Sequence, residues 1–179
     1  METKTKKSDR RYTGDAQTDF HNFFVDQLKD LYWAEQNVKK GLREMADAAT
    51  TRSLRKAFEK HYKEGDDQIA TLEQIFELLG ERPEAKRCEA MAGLLKEAEE
   101  IIDSTDKGSM VHDAALILAA QKVEHYEIAS YGTLYALSAY LPERRVAVLI
   151  KRILDEEKRT DDALTELAET VVNECAAVE

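Results

Sequence analysis

The stretch TDFHNFFVDQLKDLYWAEQNVKKGLREMADAATTRSLRKAFEKHYKEGDDQIATLEQIFELLG, residues 18–80, decides the fold class. Phe20, Phe24, Leu28, Leu31, Val38, Leu42 and Met45 recur at helical spacings, which predicts one long amphipathic helix from Thr18, capped by Thr18 or Asp19. Thr50, Thr51 and Ser53 interrupt the pattern and suit the cap of a second helix. That helix carries Leu54, Phe58, Ile69, Leu72, Ile75, Phe76 and Leu79, and Gly80 followed by Pro83 ends it. Two long helices joined by so short a break form an antiparallel hairpin.

The rest of the chain repeats this plan. Residues 84–104 form a shorter amphipathic segment with Met91, Leu94, Leu95, Ala98, Ile101 and Ile102, and Gly108 lies in the break after it. A third long helix runs from about Val111 to Tyr140, and Pro142 opens a fourth that reaches about Cys175. The expected fold is all-α. It is a four-helix bundle of two hairpins joined by a long crossover that contains a short fifth helix, the connectivity of ferritin-like bundles. Residues 1–16, with Lys4, Lys6, Lys7, Arg10 and Arg11 and no apolar periodicity, read as a flexible basic tail, and 17–176 as the bundle domain.

Composition agrees. The 179 residues suit one domain, and 43 % hydrophobic residues can fill a core. Only 7 Gly and 2 Pro occur, which argues against turn-rich sandwiches and barrels. A net charge of −10 speaks against nucleic-acid binding through a basic face. The longest apolar run, Ala114–Ala120, is too short to span a membrane, and no secretory leader is expected. Cys88 and Cys175 have no metal-type spacing and read as free thiols of a cytoplasmic protein.

Polar residues on the apolar stripes mark the candidate site. Turning each helix by about 100° per residue places Glu35 on the stripe of helix one. His61, Glu64 and Gln68 fall within or at the edge of that of helix two; Gln121 and Glu124 share a face of helix three with Glu127 beside them; Glu157, Thr160 and Asp161 interrupt helix four. Taken singly, each has an ordinary structural explanation. Together they have a matched depth: Glu35 and Glu64 are equidistant from the first hairpin turn, and Glu124 and Glu157 from the second. Carboxylates buried together stay protonated, pair with buried cationic side chains or bind cations. No Lys or Arg stands on the inner stripes at these levels, so cations are the best answer. Carboxylates with one imidazole suit iron or manganese better than structural zinc. His125 reads as an outer or interface residue, and His21 and His112 as structural. Helix three is apolar or small nearly all round, so its second face is expected to pack on the crossover or on a partner in a homodimer.

Several segments carry a family resemblance. The stretch Gln121-Lys122-Val123-Glu124-His125-Tyr126-Glu127-Ile128-Ala129-Ser130-Tyr131-Gly132-Thr133-Leu134 resembles the YciE/YciF family of bacterial ferritin-like, rubrerythrin-like proteins. So do Leu31-Tyr32-Trp33-Ala34-Glu35-Gln36, Lys86-Arg87-Cys88-Glu89-Ala90-Met91 and Glu156-Glu157-Lys158-Arg159-Thr160-Asp161. The resemblance implies a cytoplasmic, stress-associated, dimeric bundle with ferroxidase-type activity. It also implies Glu35, Glu64, Glu124, Glu127 and Glu157 as metal ligands. The chain departs from the usual order of Glu followed by His three or four residues on: His61 precedes Glu64, and Asp161 stands where rubrerythrin-like proteins place histidine.

The expected centre holds two iron ions, with manganese as the alternative. Glu35 and Glu157 are terminal ligands, Glu64 and Glu124 bridge, and His61, Glu127 and Asp161 complete the shells. Tyr131 bonds a ligand or carries an electron. The rival readings are a non-catalytic stress-protective or interaction bundle and a manganese catalase-like centre. No rubredoxin-like cysteine pairs occur, so the electron donor is expected to be external.

Overall fold

The computed structural model describes residues 15–179; the tail expected over 1–16 lies, but for its last two residues, outside them. Helix α1 spans Ala16–Ala48, α2 Arg52–Leu78, α3 Glu89–Ser104, α4 Met110–Ser138 and α5 Arg145–Leu167. A five-residue π-helical turn, Ala168–Val172, leads into α6, Asn173–Val178. No strand occurs among the described residues, and no helix among them is long and apolar enough to cross a membrane.

The helix ends show why the breaks fall where they do. Asp15, rather than Thr18 or Asp19, caps α1, its carboxylate accepting from the Thr18 amide at 2.9 Å. Thr51 caps α2 as the Thr/Ser cluster suggested. At the far end of α2, Gly80 takes φ +73°. Its amide bonds to the Glu77 carbonyl at 3.0 Å and that of Glu81 to Phe76 at 2.9 Å, closing the last turn as a Schellman motif.

Helices α1, α2, α5 and α4 form a ring of neighbours, each packed on the next, which is the bundle. Helix α3 lies outside it against α4 and α1. Met91, Ala98, Leu94 and Ile102 meet Leu116, Ala119 and Val123, so the crossover covers much of the second apolar face of α4. Val111 and Leu118 of α4 remain exposed. The crossover is fastened to α1 by the Lys86 amide on the Lys29 carbonyl (3.1 Å) and by Lys86 Nζ on Asp26 (2.8 Å). The start of α4 is fastened to the first hairpin turn by buried Asp113, whose two carboxylate oxygens accept the Thr50 and Thr51 amides at 2.6 and 2.8 Å.

The core is two apolar clusters. One contains Val38, Phe58, Val123 and Leu164, and the other Leu31, Leu72, Tyr131 and Leu154. On every bundle helix the candidate His and carboxylate positions fall between the two, whereas Gln121 lies at the level of the first.

Replacing Asp113 by Ala leaves two amides in a partly buried turn without their acceptor. A loss of about 2–3 kcal/mol in unfolding free energy is expected, read from urea denaturation at unchanged helicity.

Candidate metal centre

The polar layer is buried on all four bundle helices. Relative exposure is 2 % for Glu35, 3 % for His61, 1 % for Glu124 and 0 % for Glu127 and Glu157. Helical period explains the convergence. Glu124 and Glu127 are one turn apart on one face of α4, and Glu157 stands opposite, at the same distance from the α4–α5 turn.

One donor atom from each of His61, Glu124, Glu127 and Glu157 lies within 4.8 Å of the others. His61 Nε2 is 3.2 Å from Glu124 Oε1 and 3.8 Å from Glu157 Oε2. The Gln68 amide donates to Glu157 Oε1 at 2.6 Å, and the Tyr131 hydroxyl donates to Glu35 Oε1 at 2.5 Å. Even so, Glu124 Oε2, both Glu127 oxygens and Glu157 Oε2 are buried without a hydrogen-bond partner. Among the described residues no Lys or Arg pairs with Glu35, Glu124, Glu127 or Glu157. Unpaired buried acceptors of this density are rare in folded proteins and cost several kcal/mol as anions. A hard cation satisfies them, so the residues present fit a metal ion.

Protonation follows from the same burial. Desolvation pushes the Glu35 carboxyl up to about 7, although the Tyr131 hydroxyl and His61 pull it down. Desolvation, then the neighbouring Glu35 and Glu124 charges, carries Glu127 well above the usual carboxylate range. Glu157 moves the same way through desolvation and the charges of Glu127 and Glu35. For His61 burial acts downward, but Glu124, Glu35 and Glu64 prevail and raise it. Burial, Glu35 and Glu127 keep the Tyr131 phenol protonated and therefore a donor. Free of metal, the layer is a cluster of shared protons, and a metal ion must displace them.

Two residues stand apart from the buried set. Glu64 is 30 % exposed; one oxygen pairs with Lys60 at 3.0 Å and the other is 4.0 Å from His61 Nδ1. Three residues on a helix are about 300°, so Glu64 lies some 60° from the His61 direction, on the side of Lys60. Asp161 lies one turn beyond Glu157, at the depth of Gln121. It accepts from the Gln121 amide at 3.2 Å and lies 3.2 Å from His125 Nε2, outside the donor cluster. Thr160 bonds back to the Glu156 carbonyl. His112 is buried on Thr105 Oγ1 at 2.6 Å, and His21 pairs with Glu81 at 3.0 Å.

The sequence pattern places Gln68 within or at the edge of the stripe and assigns it no role; its amide orients Glu157. Cys88, by its spacing only a free thiol, brings its Sγ within 2.9 Å of the Tyr126 hydroxyl. No sequence signal reports that second contact, because the two residues meet through the crossover.

A family model described as a domain of unknown function (DUF892) matches residues 19–177. Protein YciF of Escherichia coli K12 is 46 % identical over 154 residues, covering 86 % of this chain and 92 % of that protein. The crystal structure of the E. coli stress protein YciF superposes with a TM-score of 0.82 at 45 % identity, covering 86 % of this chain and 97 % of that one. YcfI from Rhodopseudomonas palustris, a proposed structural protein, gives a TM-score of 0.79 at 38 % identity, covering 87 % and 98 % of the two chains.

In metal-free protein Glu35, Glu127 and Glu157 hold protons that the unfolded chain releases near pH 4.5. Native binding of extra protons makes their contribution to stability largest below that pH. It is lost as pH rises through about 7 for Glu35 and through the raised values of the other two. Melting in chelator at pH 5 and pH 8 should show this fall. Glu127→Gln, which mimics the protonated acid, should reduce it by about 2–4 °C, the Tm change that 1 kcal/mol brings in a chain of this size.

Proposed function

The chain belongs to the DUF892 family, and from that premise we propose that its bundle houses a dimetal carboxylate centre, with iron as the resident metal, in a ferroxidase-type stress protein. One observation carries the reading: buried carboxylate oxygens of Glu124, Glu127 and Glu157 converge with His61, have no hydrogen-bond partner and, among the described residues, meet no Lys or Arg. This hard donor set favours iron, with manganese as the alternative, over zinc.

In this reading His61, Glu124, Glu127 and Glu157 hold the first ion. Glu35 serves the second, joined by Glu64 when it leaves Lys60. Asp161 contributes when it leaves Gln121 and His125. When bound, an iron pair supplies the electrons that reduce dioxygen or peroxide. The chain's own residues set the conditions. Tyr131 fixes the Glu35 carboxylate through its phenolic proton and is placed to pass an electron, Gln68 orients Glu157, and the two apolar clusters exclude water. The E. coli relative's description as a stress protein supports the stress setting. The free thiols Cys88 and Cys175 suit a cytoplasmic location. Exposed Val111 and Leu118 on α4 suit pairing with a second copy, and the electron donor is external.

A second reading is a non-catalytic bundle with one structural ion. The Glu64–Lys60 ion pair favours it, because that pair leaves a second ion short of donors. The description of the R. palustris relative as a proposed structural protein supports the same reading.

Elemental analysis after anaerobic Fe(II) loading, followed by oxygen, separates the two. The di-iron reading expects about two metals per chain and a ferric absorbance that grows with oxygen. Glu124→Gln with Glu157→Gln should bring the stoichiometry below one. One ion without an oxygen response supports the structural reading, and no metal under any loading removes both.

A further inference from the structure

A cavity of about 180 Å³ lies between α1, α3 and α4. Its inner wall is apolar, with Val38, Leu42, Ala98, Ala120 and Val123, and Glu124 of the polar layer also lines it. Glu124 is 1 % exposed, and its Oε2 has no hydrogen-bond partner. The mouth is different. Exposed Glu44 and Glu99 stand there, and the adjoining surface hollow adds Asp47 and Asp103, against Lys40 and Lys107. Gly41 lets the crossover helix sit close: a Cβ there would stand 3.1 Å from Leu95 Cδ2, and Leu95 lines the cavity.

These features select an occupant. An apolar inner wall disfavours a hydrated ion, whose transfer into such surroundings is costly. The acidic mouth repels carboxylates and other anionic amphiphiles. The volume exceeds that of an apolar protein cavity of about 150 Å³ that admits benzene or xenon.

We infer that this cavity is a binding passage for a small, uncharged, apolar molecule, delivered beside Glu124 at the polar layer. Two sources share that chemistry: dioxygen in transit and an organic substrate of single-ring size. The inference rests on the metal-centre reading only for what the molecule meets at the inner end.

The test separates the two claims. Benzene is titrated into metal-free protein and followed by methyl NMR, with Ala98→Leu as a variant that fills the cavity. Leu95 is half-buried at the edge of the cavity, so Leu95→Trp narrows the passage even if the first variant folds poorly. Saturable binding is expected, with shifts at Leu42 and Val123, and at least ten-fold weaker binding in either variant at native helicity. No binding to the wild-type protein, or binding as tight as wild type in both variants, overturns the inference. After iron loading, slower oxidation by oxygen in the variants at unchanged metal content identifies dioxygen as an occupant. An unchanged rate with weakened benzene binding assigns the cavity to an organic molecule. Benzene binding in a protein that takes up no metal sinks the metal-centre reading and leaves the passage standing.

Discussion

Carboxyl groups and an imidazole buried in one layer set the terms for the whole bundle. Glu124, Glu127 and Glu157 are at most 1 % exposed, and desolvation is the first cause of the raised carboxyl affinities for protons at Glu35, Glu127 and Glu157. A layer of this kind does not stabilise a fold by itself. The apolar clusters on either side must offset it, and they are extensive, with Phe24, Leu28, Phe58, Leu72, Phe76 and Leu116 all essentially without solvent contact. The few hydrogen bonds the layer makes orient carboxyl groups rather than neutralise charge: Gln68 on Glu157 and Tyr131 on Glu35. Proton uptake and metal binding are therefore alternative ways of satisfying the same oxygens.

The periphery keeps that layer closed and in register. Two hairpins joined by a long crossover could slide past one another. Asp113 prevents this at one end by holding the Thr50–Thr51 turn against the start of α4. The Lys86 strap holds the crossover on α1 with a backbone bond and ion pairs to Asp26 and Asp30. Helix α3 then covers much of the second apolar face of α4. The cavity beside Glu124 lies in the space enclosed by α1, α3 and α4, so the crossover both covers the bundle and shapes an approach to it.

Similarity to E. coli YciF extends over most of both chains and accounts for the shared architecture. Architecture alone does not specify chemistry, because one bundle can host different sites. The donor set carries the chemistry: carboxylates outnumber imidazoles, one candidate ligand, Glu64, is held in an ion pair with Lys60, and another, Asp161, is engaged by Gln121 and His125.

The sequence by itself determined the helices, their two hairpins and the face on which Glu35, His61, Glu124 and Glu157 lie. A period of 3.6 residues fixes direction around a helix, and equal distance from a tight turn fixes depth. It also exposed the unusual crossover, through the length of chain between Gly80 and Val111. Glu64 and Asp161 show the limit of that logic. Both have nearly the right direction and level, but Lys60, Gln121 and His125 compete for them, and a period says nothing about a neighbour's reach. Only the tertiary structure decided how buried each carboxylate is, which oxygens lack a partner, that Gln68 rather than a charged residue supports Glu157, and that Cys88 meets Tyr126. The cavity belongs to that second group as well. It arises from how closely α3 settles on α1 and α4, a distance set by side-chain packing between segments far apart in the chain.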